Sequence, residues 1–260
     1  MHNPNRRSPV AQGGVRGVLR LLPTTYTRSK RVLTACVLLA LCAAGFVTAK
    51  PKTPATPVIF QKDKGKFVVQ VDGHTVAHED FEIAPNGAGW VAKGVTELNV
   101  PQTPPSTVSG TLTLQPDGTP ISYEWTAQAE KTNGAHILFA NGIAKVTLEM
   151  QGARPFEQDM SFNTPLVAIL DNNLYHQYAV LARLYDWQKR GPQTFPVLIP
   201  QELTPGSITV EATGPASVAG KDYEALHATT SDLEVFLYLD KDHRLERVEV
   251  PSAKASIVRE

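Results

Sequence analysis

The sequence predicts a mainly β protein: a curved antiparallel meander sheet, or incomplete barrel, wrapped around one central, largely buried helix over about residues 171–189. Three observations carry that expectation. Asx-Gly pairs recur at Asp72-Gly73, Asn86-Gly87, Asp117-Gly118, Asn133-Gly134 and Asn141-Gly142, and such pairs supply the positive φ that tight hairpins need. Between them apolar and polar residues alternate, as they do in a sheet with one buried and one wetted face. A single stretch, LYHQYAVLARLYDW (174–187), replaces the alternation with helical spacing.

Residues 1–49 stand apart from this pattern. RSKR (28–31) precedes VLTACVLLALCAAGFVTA (32–49). A basic flank, an apolar run and a Val47-x-Ala49 end form a secretory signal pattern, with cleavage expected after Ala49. The run also approaches the length of a membrane span, so an uncleaved N-terminal anchor is the alternative. Either places the body outside the cytoplasm, periplasmic or extracellular. Residues 1–27 exceed what a signal peptide uses, which puts the expected start downstream of Met1. LTAC (33–36) and LALC (39–42) do not meet the needs of a lipoprotein box: no apolar run precedes the first, and the second has Leu41 where a small residue belongs.

Seven of the 25 basic residues and none of the 25 acidic ones lie before residue 50, leaving 18 basic against 25 acidic residues and a net charge of −7. That balance argues against nucleic-acid binding and against docking on anionic lipid, both of which want a basic face. Both cysteines, Cys36 and Cys42, lie in the apolar run. The body therefore has no disulfide, no thiolate metal site and no cysteine nucleophile.

KPKTPATP (50–57) reads as an extended, proline-rich linker. A single domain follows over 58–260. In ISYEWTAQA (121–129), Ile121, Tyr123, Trp125, Ala127 and Ala129 share one face. In KVTLEM (145–150), Val146, Leu148 and Met150 point inward. SITVEA (207–212) and LEVFLYL (233–239) alternate in the same way. PQTPPS (101–106) reads as a loop, because proline cannot pair inside a sheet.

At 100° per residue, Leu174, Tyr178, Leu181 and Tyr185 form one stripe. Val180, Leu184 and Trp187 widen it on one side, Tyr175 and Ala182 on the other. His176, Ala179, Arg183 and Asp186 are left as a polar, solvated strip. Asp171, Asn172 and Asn173 are the expected capping residues. Lys189 and Arg190 suit the C-terminal dipole, and Gly191-Pro192 stop the helix. A helix apolar over most of its circumference must be covered over most of it.

The candidate sites are few. His74 and His78 have the spacing of a metal pair, but on a strand they lie roughly 13 Å apart, too far for one ion; with Glu79 and Asp80 they read as solvent-facing strand residues. DKDHR (240–244) has carboxylates at alternate positions but lacks the glycine and distal glutamate of a calcium loop, and reads as a charged hairpin turn. No nucleophile elbow, zinc-protease helix or phosphate-binding glycine loop is present. No catalytic residue, metal or cofactor is expected.

Three stretches, FVVQVDGHTVAHEDFEIAPNGAGW (67–90), LDNNLYHQYAVLARLYDW (170–187) and LYLDKDHRLERVEVPSAKASIVRE (237–260), resemble a group of uncharacterised exported bacterial proteins. That group is a β-rich module of unknown function. It occurs alone and resembles segments that precede α/β-hydrolase or peptidase domains. A half-barrel with an occluding helix is also similar in architecture to the periplasmic lipoprotein carriers, although fold alone does not carry function.

These readings imply a non-catalytic extracytoplasmic binding or carrier module. Its ligand would be an apolar or lipid-like small molecule held between sheet and helix, touched by Tyr178, Leu181, Tyr185 and Trp187. The alternative is a structural or accessory envelope module that contacts another protein, such as a hydrolase. An enzyme with a dispersed site is a third class, and no motif favours it.

Overall fold

The computed structural model describes residues 57–260. The expected signal segment, its cleavage point after Ala49 and nearly all of the linker lie outside the described residues. Among the described residues no helix is long and apolar enough to cross a membrane.

One curved, unclosed sheet of fifteen strands carries the fold. The strands before the helix are β1 (Asp63–Val71), β2 (His74–Asn86), β3 (Gly89–Leu98), β4 (Ser106–Leu114), β5 (Pro120–Gln128), β6 (Thr132–Ala140), β7 (Ile143–Met150), β8 (Phe156–Ser161) and the short β9 (Ala168–Ile169). The helix α1 (His176–Leu184) follows. After it come β10 (Gln193–Ile199), β11 (Thr204–Val218), β12 (Lys221–Thr229), β13 (Glu234–Leu239), β14 (Leu245–Val250) and β15 (Ala255–Arg259). Strands β1 to β8 meander in one direction and β15 back to β9 in the other. The first and last strands pair antiparallel in the middle, Phe67 opposite Arg259, and so join the two wings. The edges of the sheet are β8 and β9.

Four of the five expected Asx-Gly turns are turns. Asp72 and Gly73 have φ of 49° and 78°, and Asn141 and Gly142 have 52° and 77°, the positive pair that a two-residue hairpin needs. Asn86-Gly87 and Asp117-Gly118 close β2–β3 and β4–β5. Asn133-Gly134 is a correction: it lies inside β6, with Gly134 opposite Thr126 and Glu149. A Cβ there would stand 2.9 Å from the Trp125 carbonyl oxygen, so the glycine serves close strand approach instead. PQTPPS is the β3–β4 loop, and DKDHR is the β13–β14 turn, where the Asp240 carboxylate accepts the N–H groups of Asp242 and Arg244.

The alternation also holds with exceptions. Tyr123, Trp125, Val146, Ile208, Val210, Val235, Leu237 and Leu239 are buried as expected. Ile121 and Met150 are not: Ile121 is the unpaired extra residue of a bulge, where the β4–β5 register steps from Ser122 to Pro120, and Met150 is the last residue of β7. One pair, β9 with β10, is parallel, because the helix segment forms a crossover between them.

The helix is shorter than the expected 171–189. Asp171, Asn172 and Asn173 are not its caps; Asn173 has φ 64°, which ends the approach to the helix in a tight bend. Its N-cap is Tyr175, with no side-chain cap of its own. Residues 185–190 continue as turns held by the Asp186 carboxylate, which accepts the N–H groups of Gln188 and Lys189. The helix contacts β3, β9 and β14.

Candidate functional site

The residues that fasten the helix to the sheet form a buried polar group. Glu79 sits on the core side of β2, between Ala77 and Phe81, and is fully buried. Its Oε1 lies 2.6 Å from Nδ1 of His176, also fully buried. Its Oε2 accepts the backbone N–H groups of Tyr175 and His176, each at 3.0 Å. A strand carboxylate thereby caps the helix and sits at the positive end of its dipole. The expected solvent-facing Glu79 and the expected solvated His176 are both corrected. Alternation placed Glu79 on the apolar face, and the unsatisfied N–H groups of the helix start supply its partners. The Phe81 ring stacks near His176 at 6.4 Å between centroids.

A second chain of bonds lies beside the first. The Tyr123 hydroxyl donates to Asp171 at 2.8 Å and accepts from the Gln177 amide at 3.1 Å. Gln177 Oε1 in turn accepts the Asp171 backbone N–H at 2.5 Å. The other oxygen of Asp171 accepts the N–H groups of Asn172 and Gln201. Burial pushes the Asp171 carboxyl up to about 6, against the opposing pull of these bonds. Burial, and then the neighbouring Asp171 charge, push the Tyr123 hydroxyl well above its ordinary range. The Thr96 hydroxyl donates to the Asn173 carbonyl at 2.5 Å.

Two glycines make room for this group. Gly94 on β3 and Gly110 on β4 stand directly opposite one another. A Cβ on Gly94 would overlap His176 and Glu79, and one on Gly110 would press into Leu174. Glycine inside a strand marks close approach of another part of the chain. That was the signal in the sequence for where the helix docks, together with an acidic residue on the apolar face of β2.

A carboxylate on Nδ1 leaves Nε2 of a histidine in the position of a general base. Here Nε2 of His176 is buried and has no hydrogen-bond partner among the described residues. Among the described residues no hydroxyl is therefore placed to lose a proton to it. The arrangement fastens the helix.

The four expected ligand contacts divide. Leu181 is 1% exposed and lies in the core. Tyr185 is buried, and its hydroxyl donates to the Gly191 carbonyl and accepts the Ala212 N–H. Tyr178 is half-buried, its hydroxyl pushed up to about 12 by burial. Trp187 stacks on His243 at 4.0 Å and meets Tyr185 edge-on at 5.1 Å. Arg183 donates to the Asp242 carbonyl. His74 and His78 are exposed on β2. The prominent surface hollows open elsewhere. One of about 560 Å³ is lined by Lys64, Arg244 and Arg259. Another, of about 600 Å³, is lined by Ser161, Asn163, Thr194 and Pro196.

No family model matches the sequence, and no curated protein matches it. The fold does resemble solved structures. A β-barrel-like protein from Brucella abortus, of the domain of unknown function DUF1849, aligns over 79% of this chain and 96% of its own, at 10% identity and a TM-score of 0.50. A DUF1089 family protein from Pseudomonas aeruginosa aligns over 69% of this chain and 91% of its own, at 10% identity and a TM-score of 0.42. At such identity the first likeness shows the fold alone, a large curved β-sheet.

Proposed function

We propose that the chain is a non-catalytic module of the cell envelope that works by contacting another protein. The observation that supports this reading is the filled space between helix and sheet. Leu174, Leu181 and Tyr185 are packed there, and Glu79, Asp171, Tyr123 and Gln177 close it with mutually satisfied bonds. An apolar or lipid-like ligand touching Tyr178, Leu181, Tyr185 and Trp187 is the rival occupant. It would have to part the helix from the sheet and leave buried charged and polar groups unpaired, which costs several kcal/mol. The export pattern of residues 28–49 supports an extracytoplasmic location, and a partner such as a hydrolase suits the resemblance of the module to segments that precede such enzymes. Native mass spectrometry of protein taken from its own cells tests the reading. A protein complex with no small-molecule adduct is the expected spectrum. A lipid-sized adduct that disappears in Leu181→Trp overturns it in favour of a carrier.

A further inference from the structure

The two edges of the sheet are not alike. β9 offers two residues, and the strand inside it, β10, carries Pro196 in the stretch that β9 leaves uncovered. A proline has no N–H to give a further strand, so this edge is blunted. Among the described residues β8 pairs with β7 alone, which leaves its other side a row of backbone donors and acceptors. Phe156–Ser161 has no proline or glycine, and its register to β7 runs without a bulge. Its core-side positions, Phe156, Gln158 and Met160, carry no inward charge. Phe156 is 46% exposed and Met150 on β7 43%, although both follow the core-facing alternation of β7 and β8. The residues facing the other way, Glu157 and Asp159, are exposed and have no ion-pair partner among the described residues; Lys145, opposite Asp159, makes no ion pair with it.

We propose that β8 accepts an extended segment of a partner protein as an added strand. The segment carries basic residues at the positions beside Glu157 and Asp159 and apolar residues at the positions between, which cover Phe156 and Met150. This inference rests on the protein-contacting reading above. Backbone bonds supply the affinity of such an addition, and the alternating side chains supply its specificity. A second copy of β8 fits less well. Antiparallel pairing keeps like faces together, so a two-fold register centred on Gln158 sets Glu157 opposite Asp159 twice, and one centred on Asp159 sets that residue opposite itself. Like charges directly opposite destabilise a strand pair.

The test titrates the full-length protein, purified from its own cells, with two dye-labelled hexapeptides, one alternating lysine and leucine and one alternating glutamate and leucine. The lysine peptide is expected to bind at least about ten-fold more tightly, which is about 1.4 kcal/mol. The double variant Glu157→Lys with Asp159→Lys should reverse that preference. The control Glu211→Lys with Asp222→Lys changes net charge equally at two exposed sites far along the chain and should leave the preference in place. Amide hydrogen exchange at 156–161 should slow when peptide is bound. Equal loss of preference in both double variants, or protection outside 156–161, overturns the proposal. So does a dimer that the Glu157 and Asp159 changes dissociate, because the edge then belongs to a second copy. Failure of the peptides alongside a protein complex in the native spectrum removes the β8 edge and leaves the wider reading standing. A lipid adduct in that spectrum removes the wider reading itself.

Discussion

The inner face of this sheet is finished in one region and left open in another. Under the helix start, β2 to β5 present Glu79, Thr96, Tyr123 and the facing pair Gly94 and Gly110, and every one of them meets residues 171–177. At β7 and β8 the same alternation continues, yet Met150 and Phe156 remain exposed. Alternation in sequence assigns a face, while burial needs something to lie on that face. Where the helix lies, polar residues on the core side are buried and bonded; where it does not reach, apolar ones are wet.

Each region can be broken on its own terms. The largest effect is expected at Glu79. Glu79→Ala strips the partner from His176 and from two backbone N–H groups, and each buried donor left unsatisfied costs about 1–3 kcal/mol. Urea unfolding should show that loss; a change below about 1 kcal/mol would mean the helix start is held by packing alone. Leu181→Ala leaves a cavity in the packed core and is expected to cost about 2–5 kcal/mol in the same assay.

The Asp171 carboxyl offers a sharper probe of the seat. Its folded-state pKa is raised to about 6 by burial, against an ordinary 3.8. The folded state therefore holds the proton more tightly than the unfolded chain between those values. Stability attributable to this group rises as pH falls from 7 through 6 toward 4, by about 3 kcal/mol at most. Asp171→Asn cannot titrate, so the difference in stability between the natural protein and this variant should change across that window and be flat above about pH 7. A difference that does not vary with pH would place the carboxylate in water.

The smallest effect is expected at the open end. Phe156→Ser removes a large apolar side chain, yet should shift unfolding by less than about 0.5 kcal/mol, the range of ordinary surface changes. A loss above 2 kcal/mol would mean that the residue is covered in solution, and the contrast between the two regions would fail.

Much of this was open to reading one residue at a time. The turns at Asp72-Gly73 and Asn141-Gly142 follow from positive φ, which few residues adopt, and the strands from a period of two. The same rules misplaced Asn133-Gly134, because a glycine demanded by a turn and one demanded by a neighbouring chain look alike in sequence. The seat was missed for a related reason. His176 read as solvated because its helical neighbours are polar or small, and Glu79 because it follows a turn beside His78 and Asp80. Neither position says that the other, 97 residues away, will supply its partner.

The mainly β class, the meander and the existence of one largely apolar helix were legible from local patterns, because backbone preferences and side-chain periodicity act over a few residues. Packing across the fold set the start of the helix at His176, made Glu79 its cap, bonded Asp171 to Tyr123 instead of to the helix start, and left β8 with one side unpaired among the described residues. Those outcomes depend on which surfaces meet, and a buried donor or acceptor is satisfied by whatever the folded chain brings within hydrogen-bond distance.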